Sequence, residues 1–286
     1  MLIQSAARAL PNDLHERLRE AKKLLRSCVL CPRRCGVNRL DGERGYCGLD
    51  SRAWWFQELI HYGLEFELIP AHAIYLAGCN MRCVFCNAAR WNALPDSACR
   101  WDTASMKQLV EERRAQGAKN LFFVGGEPTV SLHAILELLA ALPERFTVVF
   151  DSNMYFSPET MELLRGVVDT YVADFKFGND RCAQAIADAP DYFETVAGRL
   201  RFAESSASLI VRHLLMPGHF DCCFKPVLKW LKRELRAPRL AIRGEYMPPN
   251  RSARERATAG MNQYLPPDVY NAARDLAKET EVELVE

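Results

Sequence analysis

Cys79, Cys83 and Cys86 lie in the run Gly78-Cys79-Asn80-Met81-Arg82-Cys83-Val84-Phe85-Cys86-Asn87. The spacing is Cys-x3-Cys-x2-Cys, and no nearby fourth cysteine follows in step. A cubane [4Fe–4S] cluster takes four thiolates. A loop that supplies three leaves one iron open, and an open iron can bind a substrate. Zinc in a closed site wants a fourth Cys or His, and three close cysteines in a chain without an export signal read as a metal site before they read as disulfide partners. The expectation is a cluster with one open iron. Such clusters run electron-transfer and radical chemistry, with the protein supplying orientation and tuning.

Composition narrows the surroundings. The chain has 286 residues, enough for one large domain or a domain with an appendage. Its formal net charge is +1, so no basic surface argues for nucleic acid. No stretch approaches the ~20 apolar residues of a membrane span, and Met1 to Leu10 lacks the long apolar core of a secretory signal. Eleven cysteines without such a signal imply reduced thiols and metal rather than a disulfide framework, and a cytoplasmic location.

Periodicity predicts the organisation. Residues 11–26 read as an amphipathic helix with Asn12 or Asp13 as its cap. Residues 27–50 are Cys-, Gly- and Arg-rich with little periodicity, and short strands are expected around Trp54, Trp55 and Phe56. Apolar runs of strand length then recur at Ala73–Ala77, Asn120–Gly125, Phe146–Asp151, Thr170–Lys176, Ser208–Met216 and Leu240–Tyr246. Helical patterns fall near 103–116, 131–141, 158–166, 180–203 and 222–236. Strands separated by helices imply βα units and a parallel sheet. Six units do not close an eight-stranded barrel; they suit an open, partial (β/α)6 barrel. After Pro248-Pro249 come a basic polar stretch, Arg251–Arg256, a helix near 267–279 and an edge strand within Glu281–Glu286. The expected domains are an N-terminal helix and Cys-rich metal-binding extension (1–70), a partial barrel (71–250) and a C-terminal helix and tail (251–286).

The polar motifs sit at the strand ends, where α/β barrels build their sites. The second predicted βα strand ends in Gly125-Gly126-Glu127-Pro128. Glycines let backbone approach a ligand closely, and a carboxylate beside them can accept a hydrogen bond from an ammonium group. The next two strands end in Asp151-Ser152-Asn153 and Asp174-Phe175-Lys176. Asp174 and Lys176 share a strand face, where they can pair with each other or read a zwitterion. Arg212 can fork onto a carboxylate, whereas His213 reads as a packed histidine. Arg82 and Asn87 flank the cysteines and set the electrostatics of a cluster there.

Together these segments resemble the radical S-adenosylmethionine (SAM) superfamily. Its activating branch for glycyl radical enzymes is the nearest part, in the subgroup related to pyruvate formate-lyase activating enzyme. The resemblance rests on the cluster loop, Gly125–Pro128, Asp151–Asn153, Asp174–Lys176, Val211-Arg212-His213-Leu214-Leu215-Met216-Pro217-Gly218, Tyr171–Arg201 and the N-terminal Cys28-x2-Cys31-Pro32-Arg33-Arg34-Cys35-Gly36-Val37-Asn38-Arg39. It covers residues 28 to about 250. It implies that Cys79, Cys83 and Cys86 hold a [4Fe–4S] cluster whose open iron chelates the amino and carboxylate groups of SAM. One electron then cleaves the sulfonium to a 5′-deoxyadenosyl radical. By position, Phe85 shelters the adenine and Gly125, Gly126 and Glu127 hold the amino group. Asp151, Ser152 and Asp174 lie near the methionyl end, where the resemblance implies a monovalent cation, and Lys176 and Arg212 meet the methionyl carboxylate or neighbouring groups. Two strings depart from relatives: Asp-Ser-Asn stands where a Thr-Asn-Gly type ending is common, and Arg243-Gly244-Glu245-Tyr246 where a Met-x-Gln-Tyr pattern is usual.

Cys28, Cys31, Cys35 and Cys47 form Cys-x2-Cys-x3-Cys-x11-Cys, which suits tetrahedral zinc or a second, fully ligated cluster. Cys99, Cys182, Cys222 and Cys223 show no ligand spacing among themselves and read as buried thiols. The expected function is hydrogen-atom abstraction, from a protein glycine as in an activase or from a small molecule or peptide. A non-enzymatic Fe–S electron carrier is the contrasting class, which has no need of the SAM motifs. An activase needs a flavodoxin- or ferredoxin-like electron donor and a protein substrate as partners.

Overall fold

The computed structural model describes residues 11–63, 65–249 and 260–286. Met1–Leu10 and the basic stretch Arg251–Arg256 lie outside the described residues. The chain divides into two compact units. The first comprises residues 1–80, 90–152 and 156–171; the second comprises 81–89, 153–155 and 172–286.

In the first unit, α1 (Leu14–Leu24) precedes the Cys-rich segment, and a single strand, β1 (Trp54–His61), forms where short strands are expected. It runs antiparallel to β2 (Ala71–Leu76) and to the two-residue β3 (Cys99–Arg100). From β2 the pairing turns parallel: Ala71 to Leu76 register with Asn120 to Gly125 of β4, and Asn120 to Phe123 with Thr147 to Phe150 of β5 (Thr147–Ser152). The strand order is β3-β1-β2-β4-β5. The runs Leu121-Phe122-Phe123 and Val148-Val149-Phe150 are fully buried, as both faces of a helix-covered parallel strand must be. A short helix, α2 (Ala89–Ala93), precedes β3; of the covering helices, α3 (Thr103–Ala115) is capped by Asp102, whose Oδ1 accepts from the Ser105 N–H at 2.9 Å. α4 (Leu132–Ala141) is buried nearly all round, and α5 (Pro158–Leu164) begins with proline after the cap Ser157.

The second unit carries the order β6-β7-β8-β9, with β6 (Thr170–Asp174, of which 172–174 fall in this unit), β7 (Ser208–Leu214), β8 (Arg239–Arg243) and β9 (Glu283–Leu284). β7, β8 and β9 are parallel. The helix expected over 180–203 is two, α6 (Asp180–Ala187) and α7 (Tyr192–Ser206). Pro190 interrupts the pattern, and Asp188 and Asp191 take left-handed backbone at φ of 48° and 50° on either side of it. The pattern over 222–236 opens instead as a π-helical turn, Phe220–Phe224, that leads into α8 (Lys225–Glu234). α9 (Pro267–Glu279) forms as expected. β2, β4, β5, β6, β7 and β8 are the strands of the six βα units read from the sequence; the fold is mixed α/β with a parallel sheet. Among the described residues, no helix is long and apolar enough to cross a membrane.

Candidate active site

The turn after β4 is built by backbone crowding. A Cβ at Gly126 would fall 2.0 Å from the Gly78 carbonyl oxygen, and one at Gly125, where φ is +113°, would fall 2.4 Å from the Leu76 nitrogen. The two glycines therefore let the end of β4 press against the backbone entering the cysteine loop. The Glu127 N–H donates to the Gly78 carbonyl at 3.0 Å. The Glu127 side chain is fully buried, and its Oε1 accepts from the Thr129 N–H (3.1 Å), the Thr129 hydroxyl (2.7 Å) and the Ser152 hydroxyl (2.9 Å). Three donors on one oxygen fix the carboxylate in a single orientation. Ser152, expected toward a methionyl end, is thus a positioning residue for Glu127. Asp151 precedes it at the end of β5.

Cys79 follows β2 and is buried; Cys83 and Cys86 are half-buried. The loop beyond Cys79 is pinned by two backbone bonds on either side of Cys83, from Arg82 N–H to the Ala187 carbonyl (2.8 Å) and from Val84 N–H to the Ile186 carbonyl (2.9 Å). Burial pushes the Cys83 thiol up to about 12, against the pull of the Lys176 ammonium. Phe85 is buried, and its ring lies 5.8 Å from that of Tyr246 at 55°.

Lys176 pairs with Asp174 through its Nζ, the first of the two options the shared strand face allows. Both are braced by the buried Tyr192, whose hydroxyl donates to the Asp174 carbonyl (3.3 Å) and accepts from the Lys176 N–H (2.8 Å). β6 and β7 meet at this level, where the Phe175 N–H donates to the Arg212 carbonyl at 2.9 Å. His213 is buried with Nδ1 2.7 Å from the Phe175 carbonyl, and burial pushes it down to about 4, so it is a neutral, packed residue. Arg212 beside it is half-buried.

Beside the N-terminal cysteines lies a residue the sequence does not single out. Arg39 is fully buried; Nε and Nη2 donate to the Asp50 carbonyl (2.9 and 2.7 Å) and Nη1 to the Val130 carbonyl (3.0 Å). Nη1 also lies 4.0 Å from Cys28 Sγ. Burial pushes the Cys31 thiol up to about 12, and Cys47, Cys28 and Cys35 act on it in the same direction. Burial pushes the Cys47 thiol up as well, against the pull of the Arg39 guanidinium. A cation beside Cys28 Sγ would offset the charge of metal-bound thiolates.

The remaining cysteines correct an expectation. Cys99 is exposed and Cys222 half-buried, so neither is a buried thiol. Cys182, Cys222 and Cys223, although without ligand spacing in the sequence, come together.

Residues 74–231 match the radical SAM superfamily. The chain belongs to that superfamily. The uncharacterized protein MJ0674 of Methanocaldococcus jannaschii is 32% identical over 283 residues, spanning 96% of this chain and 81% of its own length. Among solved structures, a radical SAM methyltransferase from Sphaerobacter thermophilus is similar with a TM-score of 0.56 at 14% identity, over 75% of this chain and 65% of that one. Streptococcus suis SuiB bound to its precursor peptide SuiA is similar with a TM-score of 0.52 at 13% identity, over 72% of this chain and 46% of that one. The chain thus spans less than two thirds of either solved protein, and at these identities the likeness is one of fold.

A radical SAM enzyme implies a [4Fe–4S] cluster and SAM. The donors present fit both groups. Cys79, Cys83 and Cys86 stand close together in sequence, three thiols for a cluster with one open iron, and Glu127 is an oriented, buried carboxylate one βα unit later. Thr129 and Tyr192, which hold Glu127 and the Asp174–Lys176 pair, were not legible as site residues. Thr129 stands two residues after Glu127, a spacing at which a side-chain oxygen caps a turn; Tyr192 lies within Tyr171–Arg201, part of the resemblance, with no site role assigned to it there.

Proposed function

We propose that this radical SAM enzyme abstracts a hydrogen atom from a protein glycine, as an activase of a glycyl radical enzyme. The observation that carries the proposal is the junction of Asp174–Lys176 with Arg212–Gly218. The two strings that most narrow the resemblance to the activating branch are joined backbone to backbone at Phe175 and Arg212, and again by His213 to the Phe175 carbonyl. The pairing puts the two strings side by side, which supports the reading.

When bound, the cluster and SAM supply a 5′-deoxyadenosyl radical, the hydrogen-abstracting species. Cys79, Cys83 and Cys86 would hold the cluster. Glu127, fixed by Thr129 and Ser152, would accept hydrogen bonds from the SAM amino group. Gly125 and Gly126 would serve it by setting the position of Glu127. Lys176 and Arg212 would meet the methionyl carboxylate, and Phe85 would cover the adenine. Asp174 is already neutralised by Lys176, so a monovalent cation there would take over the carboxylate as Lys176 turned to the substrate. Asp151 would complete that end. Cys28, Cys31, Cys35 and Cys47 would hold zinc as a structural knuckle, the alternative being a relay cluster. A flavodoxin- or ferredoxin-like protein would deliver the electron.

The test is deuterium transfer into 5′-deoxyadenosine. Reconstituted enzyme, SAM and reductant are mixed with extract from cells grown on deuterated nutrients, split by size into proteins and metabolites. Deuterium arriving from the protein fraction is the expected result. Deuterium arriving only from the metabolite fraction would replace the activase with an enzyme acting on a small molecule or peptide.

A further inference from the structure

We infer that Cys182, His219, Cys222 and Cys223 form a zinc site, separate from both cysteine sets read in the sequence. Their ligand atoms all lie within 4.8 Å of one another. His219 Nδ1 is 3.7 Å from Cys182 Sγ, 3.3 Å from Cys222 Sγ and 3.8 Å from Cys223 Sγ. Cys222 Sγ is 3.8 Å from Cys182 Sγ and 4.0 Å from Cys223 Sγ. A tetrahedral zinc with its usual bond lengths has sulfur–sulfur edges of about 3.8 Å and sulfur–nitrogen edges of about 3.6 Å. The five distances sit on those edges without any rearrangement.

The fold is shaped to bring the four together. Cys182 lies in the first turn of α6, whose cap Asn179 accepts from the Cys182 N–H at 2.8 Å. The same Asn179 donates through Nδ2 to the Cys222 carbonyl at 2.7 Å, and so ties both ligand-bearing segments. Gly178 completes the approach: a Cβ there would fall 2.6 Å from the Cys223 carbonyl oxygen. His219, Cys222 and Cys223 belong to or adjoin the π-helical turn Phe220–Phe224. π-turns are rare and recur at functional sites. Here the turn brings two consecutive cysteines and the histidine before it toward one point.

The chemistry selects the ion. Three thiolates and an imidazole are a Cys3His set, which suits tetrahedral zinc. A cubane distributes its thiolates over separate irons, which needs the sulfurs further apart than a single ion does. Four protein ligands leave no open position, so the ion is structural. It would staple the start of α6 to the π-turn, downstream of Lys176 and of Arg212 respectively.

The experiment uses the full chain purified without oxygen, with zinc and iron counted per chain. Cys182→Ser is expected to lose about one zinc per chain with iron unchanged, and Cys182→His, which restores a ligand, to keep it. Zinc counts unchanged in Cys182→Ser and in Cys223→Ser would overturn the site. A readout independent of variants is alkylation of the metal-stripped wild-type protein with and without added zinc, mapped by peptide. Zinc should slow labelling of Cys182, Cys222 and Cys223 at least ~10-fold, as bound thiolates lose their nucleophilicity. Equal labelling in both conditions, or a Cys182–Cys222 disulfide in place of metal, would sink the proposal.

Discussion

Glu127 shows how much of a site can be set by one oxygen. Its Oε1 already takes three donors from Thr129 and Ser152, so the carboxylate is placed before any ligand arrives and loses little entropy on binding one. Its proposed work is to receive an ammonium group, and hydrogen bonds to charged groups contribute about 1.5–3 kcal/mol. Glu127→Gln keeps the shape and an acceptor oxygen but removes the charge. SAM affinity should fall about 10- to 100-fold while iron content stays at the wild-type level, as read by anaerobic dialysis against labelled SAM. Ser152→Ala, which removes one orienting donor, should cost only a few-fold. If Glu127→Gln binds SAM as wild type does, the carboxylate is a structural cap of its own turn and nothing more.

At the scale of elements, the parallel strands were the most legible part of the chain. β4 matches its predicted span at both ends, because a buried strand is an uninterrupted apolar run bounded by polar or glycine residues. The misjudged spans, 180–203 and 222–236, are places where backbone geometry overrides periodicity: left-handed residues around Pro190 in one and a π-turn in the other. The cysteine loop and Gly125–Glu127 were legible from local spacing. Cys182 with His219, Cys222 and Cys223 was not, since only the packing of α6 against the π-turn makes neighbours of residues 40 positions apart. Arg39 was equally hidden, because its partners are backbone carbonyls, which the sequence does not display. The role of the glycine pair also shifts from ligand approach to element packing, and that has a measurable consequence. Gly126→Ala would drive a Cβ onto the Gly78 carbonyl, so it should destabilise the protein by about 1–3 kcal/mol, as overpacking does, and lower iron retention by displacing the loop that carries Cys79. Gly198→Ala in the middle of α7 meets nothing within 4 Å and should instead stabilise by about 0.5–1 kcal/mol. Urea unfolding of both variants, with iron counted alongside, checks the pair; equal midpoints for the two would refute the packing role.

Across the whole molecule, three buried histidines tie stability to pH in one direction. Burial pushes His72, His133 and His213 each down to about 4. His133 Nε2 is held by the Ser51 carbonyl at 2.8 Å and His213 by that of Phe175. His72 stays low even though Glu58 lies 3.0 Å away, since its burial outweighs that carboxylate, which Arg113 also claims. In the unfolded chain an imidazole titrates near 6.5. Between about pH 6.5 and 4 the unfolded state therefore binds protons that the folded state does not, and stability falls as pH drops through that window. Glu58 and Glu159, held below the usual carboxylate range by Arg113 and Arg34, extend the loss with the same sign at lower pH. Each proton contributes a slope of about 1.4 kcal/mol per pH unit. His72 and His133 belong to the first unit and His213 to the second, so if the units unfold in separate transitions both should weaken, the first more steeply. Urea unfolding of wild type and His133→Gln at pH 7.5, 6.0 and 5.0 isolates one imidazole from any acid loss of metal common to both. His133→Gln can still donate to Ser51 but cannot take up a proton, so its stability should fall less between pH 6.0 and 5.0, by about one proton's slope. Parallel pH dependences for the two proteins would mean that His133 is already charged in the folded state.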